Sequence, residues 1–452
     1  MIEAKSIDAI SPEKRFWRFG RIESVRGLSV ISRGPAAAIG EILWLVRSET
    51  RRDRSPRAWQ PPQGLRLEVA GFLPDGRLLL TPYGDLTGIQ QGMMVVASGQ
   101  RLKVPVGRGL LGRVIDGTGE PLDGGPKPRG RLVEITPDPI APLDRRPIDT
   151  PLWTGIRAID GLLTLGQGQR VGIFAGAGVG KTTLLQQILR QTHADVSVVA
   201  LIGERGREIA EFYHSLPEAA LAQTVIVAAT SDSPAILRLR AMDTAFRLAE
   251  WFRGEGLHVM LVVDSLTRVA LAQSEVGLES GEIAAVRGYT PSVFHLLPRI
   301  LERAGRVGQG SITGIFTVLL DGDDPTDPIG DAVRGILDGN LYLSRDLADR
   351  HHFPALDVLK SLSRLMPEIV DDTHQQLAAT VRRILAKLDK NRDLVLLGAY
   401  QPGTDVVLDA CLRIEPALEE WLRQGMEECA EVTEALASLA AILQAEPEVQ
   451  RA

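Results

Sequence analysis

Along the chain the apolar positions change texture twice. From Arg21 to about Ser98 they come in short runs broken by turn residues, as in "LSVIS", "GEILWLV", "LRLEVAGFL", "GRLLLTPYG" and "MMVVASG". Strands of that length at that spacing predict a small β-barrel or sandwich. Residues 99–150, rich in Gly, Pro and Asp, predict turns leading into a second domain. From about 150 the runs become near-continuous: "QRVGIFAG", "VSVVALIG", "TVIVAAT", "HVMLVVD" and "SITGIFTVLL". Helical patterns separate them, as over 183–192 and 234–253. Buried strands alternating with helices predict an α/β domain, its mostly parallel sheet covered on both faces. Beyond 372 the pattern is helical, with "HQQLAATVRRILAKL" and "VTEALASLAAILQAE" both amphipathic and the turn "GAYQPGTD" between helical stretches. The segments drawn from this texture are 1–97, 98–372 and 373–452.

Composition narrows the classes. The 452 residues are 44% hydrophobic and 24% charged, as in soluble globular proteins. The net charge of -6 argues against nucleic acid as a bulk partner, since such binders carry a basic field. The arginine-rich "RRDRSPR" at 51–57 lacks interleaved aromatics and reads as a solvated loop. Cys411 and Cys429 match no metal spacing or disulfide framework, so a reducing cytoplasm is expected. The first residues lack the apolar core and cleavage site of a signal peptide, and no run of about 18 apolar residues would span a membrane. Peripheral membrane contact stays open.

The chemistry centres on "GIFAGAGVGKTTLL" at 172–185. A strand enters a glycine-rich loop, and a helix leaves it with Gly180, Lys181 and Thr182. The strict phosphate-loop pattern places Gly where this chain has Ala175, but one methyl at the loop entrance is tolerable if no positive φ is needed there. The backbone N–H groups of Gly176, Ala177, Gly178, Val179, Gly180, Lys181, Thr182 and Thr183 would converge on phosphates at a helix N-terminus. Lys181 would reach the β- and γ-phosphates of ATP, and the Thr182 hydroxyl would bind Mg²⁺. Asp264, ending the apolar strand "HVMLVVD", suits the second Mg²⁺-holding acid, directly or through water. Glu204, ending "VVALIGE", can polarise an attacking water or simply pair with Arg205 or Arg207. In "HHFPALDVLKSLSRLM" a strand-like segment is expected to end near Pro354. Arg364 follows, an arginine finger or an ordinary surface cation.

These stretches, with "PLWTGIRAIDGLLTLGQGQR", "ALIGERGREIAEF", "DSLTRVALAQSEVGL", "RGYTPSVFHLLPRILERAG" and "DPIGDAVRGILDGNLYLSR", resemble the type III export ATPases. That family comprises the flagellar export ATPase and its virulence-secretion counterpart, and is related to the subunits of rotary F- and V-type ATPases. The resemblance runs from about Arg21 to the C-terminus, and in it the phosphate loop commonly begins with Ala. It implies an N-terminal β-barrel, a central RecA-like ATPase domain and a C-terminal helical domain, assembled as a ring, typically hexameric, with ring contacts on the barrel. It assigns Lys181 and Thr182 to phosphate and Mg²⁺, Asp264 to Mg²⁺ and Glu204 to water activation. It implies that Arg364 reaches the γ-phosphate held by the neighbouring subunit.

Phe353 stands where the family usually has a tyrosine packing on adenine, and Tyr400 is a candidate for the other adenine face. Asn340 stands where the family generally has His. The resemblance further implies a regulatory stalk protein at the N-terminus, where Ile2, Ile7 and Ile10 form a short stripe ended by Pro12. It implies chaperones and export substrates at 374–452, and an export gate at the cytoplasmic face of the membrane. Flagellar export is the expected role, with a virulence injectisome as the alternative. A non-catalytic ring subunit is disfavoured by Glu204. A rotary synthase subunit is disfavoured because Lys181, Glu204 and Arg364 stand in one chain.

Overall fold

A computed structural model describes residues 18–46, 64–136, 139–320 and 326–451. The expectations for Ile2, Ile7, Ile10 and the 51–57 arginines lie outside them. Six strands, β1 (Phe19–Arg26), β2 (Ser29–Arg33), β3 (Glu41–Val46), β4 (Arg66–Phe72), β5 (Leu78–Pro82) and β6 (Met94–Arg101), close a barrel in the order β1-β2-β5-β4-β3-β6. Alternate residues point inward, and Ile22, Val30, Leu43, Leu67, Leu80 and Val95 fill the interior.

The segment expected to be only turns contains three short strands. β7 (Lys103–Val106) pairs with β9 (Arg131–Glu134), and between them β8 (Val114–Ile115) pairs in parallel with β14 (Thr224–Thr230). The α/β sheet therefore takes its edge strand from upstream of residue 150. Runs of two to four residues among Gly and Pro carry too little periodicity to be read.

Two further pairs of residues, β10 (Pro151–Leu152) and β11 (Leu165–Gly166), bracket α1 (Arg157–Leu162). Then come β12 (Arg170–Ala175), α2 (Lys181–Gln191), β13 (Val196–Glu204), α3 (Gly206–Ser215), α4 (Glu218–Leu221), β14, α5 (Ala235–Gly254), β15 (His258–Asp264), α6 (Leu266–Glu279) and α7 (Pro291–Leu301). After them run β16 (Gly305–Val307), β17 (Gly310–Leu319), α8 (Pro328–Arg334), β18 (Gly339–Leu343), α9 (Arg345–Asp349), β19 (Leu356–Ser363) and α10 (Met366–Ile369). The chain closes with α11 (Asp372–Leu396), α12 (Val406–Leu422) and α13 (Val432–Gln444).

The nine-stranded sheet has the order β19-β18-β12-β17-β15-β13-β14-β8, with β16 pairing with β17. Its central strands are parallel, and β16 and β19 run antiparallel. Here one expectation is corrected. The strand begins after Pro354 rather than ending near it, because proline cannot donate to the ladder and so punctuates the entry to β19.

Each central strand is apolar on both sides. Val199 and Leu201 face one core, Ala200 and Ile202 the other. Helix α5 covers the second face with Ala245, Phe246, Ala249 and Phe252. The first face is covered jointly by α1, α2 and the C-terminal helices. Leu184, Leu185 and Ile188 of α2 share one cluster with Ile414, Leu418 and Trp421 of α12 and Leu439 of α13. Burying each such side chain contributes roughly 1.5–3 kcal/mol. Among the described residues no helix is long and apolar enough to cross a membrane.

Candidate active site

The sheet topology gathers the polar residues singled out in the sequence. In a parallel sheet the carboxyl ends of all strands lie on one edge, where ligands sit. Strand β12 delivers Ala175 there, β15 delivers Asp264 and β13 delivers Glu204. Ala175 is the last ladder residue, paired with Leu319 and buried, so this position needs no glycine. The turn comes later, at Gly178 (φ 79°) and Gly180 (φ 93°), in the left-handed region that glycine favours. Val179 is buried and anchors the loop in the core beneath it.

Helix α2 starts at Lys181 with no side-chain cap. Its first N–H groups and the positive end of its dipole are thus available to an anion. Thr182 and Thr183 are exposed beside them. From outside, Arg345 at the start of α9 donates Nη2 to the Ala177 carbonyl at 2.8 Å and steadies the loop.

Lys181 Nζ donates to Asp264 Oδ1, which also accepts from Thr317 Oγ1 at 2.7 Å. The ammonium thus lies where a cation is attracted beside the acid. Asp264 is only 3% exposed and Thr182 offers a hydroxyl, a hard-oxygen set suited to Mg²⁺. No group of three His, Cys, Asp or Glu among the described residues could cage a metal alone.

Glu204 is 8% exposed, and its Oε1 has no hydrogen-bond partner. A bulge in the pairing of β13 with β14, between Ile202 and Glu204, re-aims its side chain. Gly203 forms that bulge at φ 73°. A Cβ there would come within 2.6 Å of Arg268 Cδ, so only glycine lets the Arg268 stem cross. Arg268 Nε stops 3.5 Å from Glu204 Oε1, beyond a good hydrogen bond. Burial first, and then the charge of Asp264, push the Glu204 carboxyl up to about 7, against the pull of Lys181 and Arg268. A hydrogen bond between Glu204 and Glu208 raises the Glu204 carboxyl further and lowers that of Glu208.

Phe353, 40% exposed, lies across the loop: a Cβ on Gly180 would sit 3.4 Å from its Cε1. Tyr400 is held in its own turn, donating to Asp409 Oδ1 at 2.7 Å with the Asp405 carbonyl at 3.1 Å. Asn340, buried in β18 opposite Gly172, leaves Oδ1 unpaired. Nothing in the structure explains why Asn stands there.

Arg364 is not brought to this edge. It follows the last residue of β19, where Ser363 pairs with Gly339, and its N–H donates to the Asp338 carbonyl. Asp338 also binds Arg170, the first residue of β12. Arg364 therefore sits at the opposite end of the sheet from its own phosphate loop, about 20 Å away at 3.3 Å per residue of β12. Its side chain is exposed, with Nη2 3.4 Å from the Arg334 carbonyl.

Thr317, Arg268 and Arg345 escaped the sequence reading. Only Arg268 carried a signal, standing one helical turn beyond Asp264 where α6 turns back over the edge.

Known proteins match the chain over most of its length. The model of the ATP synthase alpha/beta family, nucleotide-binding domain, matches residues 155–363, and that of the T3SS EscN ATPase C-terminal domain matches 370–441. The chain is 44% identical to the flagellum-specific ATP synthase of Bacillus subtilis over 438 residues, covering 96% of this chain and 98% of that one. It is 46% identical over 417 residues to the type 3 secretion system ATPase of Xanthomonas euvesicatoria, covering 91% of each. The assembled ATPase EscN from enteropathogenic E. coli superposes with a TM-score of 0.87 at 40% identity, covering 94% of this chain and all of that one. A second EscN structure, in complex with its central stalk EscO, gives 0.85 at 39% identity, with the same coverage.

Proposed function

The chain belongs to the family of flagellum-specific ATP synthases and type 3 secretion system ATPases, and on that premise we propose that it hydrolyses ATP to drive type III protein export, as a ring of identical subunits. The observation that carries this reading is the division of the site. The phosphate loop, Asp264 and Glu204 meet at one edge of the sheet, and Arg364 stands at the other. A closed ring of head-to-tail subunits brings the Arg364 of one to the phosphate loop of the next.

In the proposed mechanism the α2 N-terminus and Lys181 hold the β- and γ-phosphates, and Phe353 packs on adenine. Thr182 and Asp264 would hold Mg²⁺, which when bound neutralises phosphate charge. Glu204 accepts the proton of a water whose oxygen bonds to the γ-phosphorus as the bond to the bridging oxygen breaks. The neighbour's Arg364 stabilises the charge spread over the transferring group. ADP and inorganic phosphate leave.

Specific ATPase activity rises steeply with protein concentration as rings assemble. A flat profile across the monomer-to-ring range, followed by light scattering, refutes the shared site.

The pH profile follows from Glu204. The base works deprotonated, and its carboxyl is raised to about 7. kcat/KM is thus full above pH 7 and falls about tenfold per pH unit below it. A profile flat from pH 5.5 to 8 removes Glu204 from the role.

Flagellar export is the favoured pathway, with an injectisome second. Deleting the gene stops filament assembly and motility in the first case, and leaves them intact while needle secretion fails in the second. A stalk protein at the N-terminus, chaperones and substrates at 374–452, and a position at the cytoplasmic face of the membrane complete the proposal. The complex of the related EscN with its stalk EscO supports the stalk.

A further inference from the structure

The connector between α12 and α13, residues 423–431, wraps the base side of the phosphate loop. At its centre is Gln424, 6% exposed. Its backbone N–H donates to the Phe353 carbonyl at 2.8 Å. Its side-chain oxygen accepts the Arg157 N–H at 2.8 Å, and Nε2 donates to the Gly155 and Glu428 carbonyls at 2.7 Å each. The buried side-chain amide thus ties the connector to itself and to residues 155–157 at the start of α1, and the backbone N–H of the same residue holds the strand entry that carries Phe353.

The same connector grips helix α2. Gln187 donates to the Gly425 carbonyl at 3.2 Å and Gln191 to the Glu428 carbonyl at 2.7 Å. One loop of the C-terminal helical segment therefore holds both walls of the base site, the helix behind the phosphates and the backbone of the aromatic ring.

We propose that Gln424 is a positioning residue for nucleotide binding. It sets the height of Phe353 over Gly180, and its side-chain hydrogen bonds go to Arg157, Gly155 and Glu428, none of them in the phosphate loop or in α2. The inference rests on the reading of Phe353 as the adenine-packing residue. Contacts to the base are made equally in the ground and transition states, so their loss appears in KM and not in kcat.

The test is a double-mutant cycle on the full chain at ring-forming concentration. Phe353→Ala and Gln424→Ala each raise the KM for ATP about tenfold with kcat nearly unchanged, the first by loss of the aromatic face and the second by truncation of a buried hydrogen-bonded group. The double variant is no worse than Phe353→Ala alone, because Gln424 acts through that ring. Tripolyphosphate, which has no base, inhibits wild type and Gln424→Ala equally. A general loss of structure weakens both ligands and lowers kcat. If Gln424→Ala does not fold, Gln424→Met, which fills the same volume, carries the cycle. An unchanged KM, multiplicative effects in the double variant, or an equal loss of tripolyphosphate binding overturns the assignment. If Phe353→Ala itself leaves KM unchanged, the base-site reading falls and this inference with it.

Discussion

Arg364→Ala lowers the turnover of the assembled enzyme by about three to five orders of magnitude while ATP still binds. At 1.36 kcal/mol per decade that is roughly 4–7 kcal/mol of lost transition-state stabilisation. The expectation follows from position. Arg364 is exposed at the far end of the sheet and donates only weakly to the Arg334 carbonyl, so its removal leaves the subunit's own core and loop intact. The measurement is turnover at saturating ATP, with ring formation followed in parallel. A variant within tenfold of wild type removes the trans role. Mixing gives a sharper check. Subunits carrying Arg364→Ala, combined with subunits carrying Lys181→Ala, regain activity although each alone is dead. With random head-to-tail assembly about a quarter of the interfaces pair an intact Lys181 with an intact Arg364. No recovery in a mixed ring means that both residues serve one subunit's site.

Glu204→Gln gives the second large loss, about two to four orders of magnitude in turnover. Glutamine keeps the shape and loses the base, so ATP affinity stays close to wild type. The substitution also removes a carboxyl whose ionised form is disfavoured by burial and by Asp264. The melting temperature of the variant is therefore no lower than that of the wild type, as expected where a site holds a group against its own stability. Turnover and thermal unfolding on one preparation decide it. Retained turnover ends the general-base role, and a marked drop in melting temperature shows that Glu204 is needed for the fold instead.

Much of this was legible because buried parallel strands write themselves plainly. "TVIVAAT" and "HVMLVVD" coincide with β14 and β15, and 234–253 is offset from α5 by one residue. The loop, Asp264 and Glu204 were legible too, since each ends such a strand. The three short strands between 103 and 134 were not, being too brief for periodicity. The start of β19 was misplaced because the apolar pattern gives no direction across Pro354. Thr317 was hidden because its hydroxyl meets Asp264 only when two strands lie side by side. Gln424 reads as one more polar residue after a helix, and its distant partners come from two segments, 155–157 and Phe353. Arg364 marks the limit from the other side: its position became informative only once β12 and β19 were seen to run in opposite directions.

The shared cover of the first sheet face has a consequence for biosynthesis. Helix α2 and the strands beneath it leave the ribosome well before α11, α12 and α13, yet Leu185 and Ile188 are buried in one cluster with Leu418 and Leu439. Until those helices arrive, the nascent ATPase layer has an apolar face with nothing on it. Such a face is a target for chaperone holding and for aggregation. The order of translation thus delays a finished nucleotide pocket until the C-terminal helices have docked, and a chain broken off near residue 372 leaves that face bare.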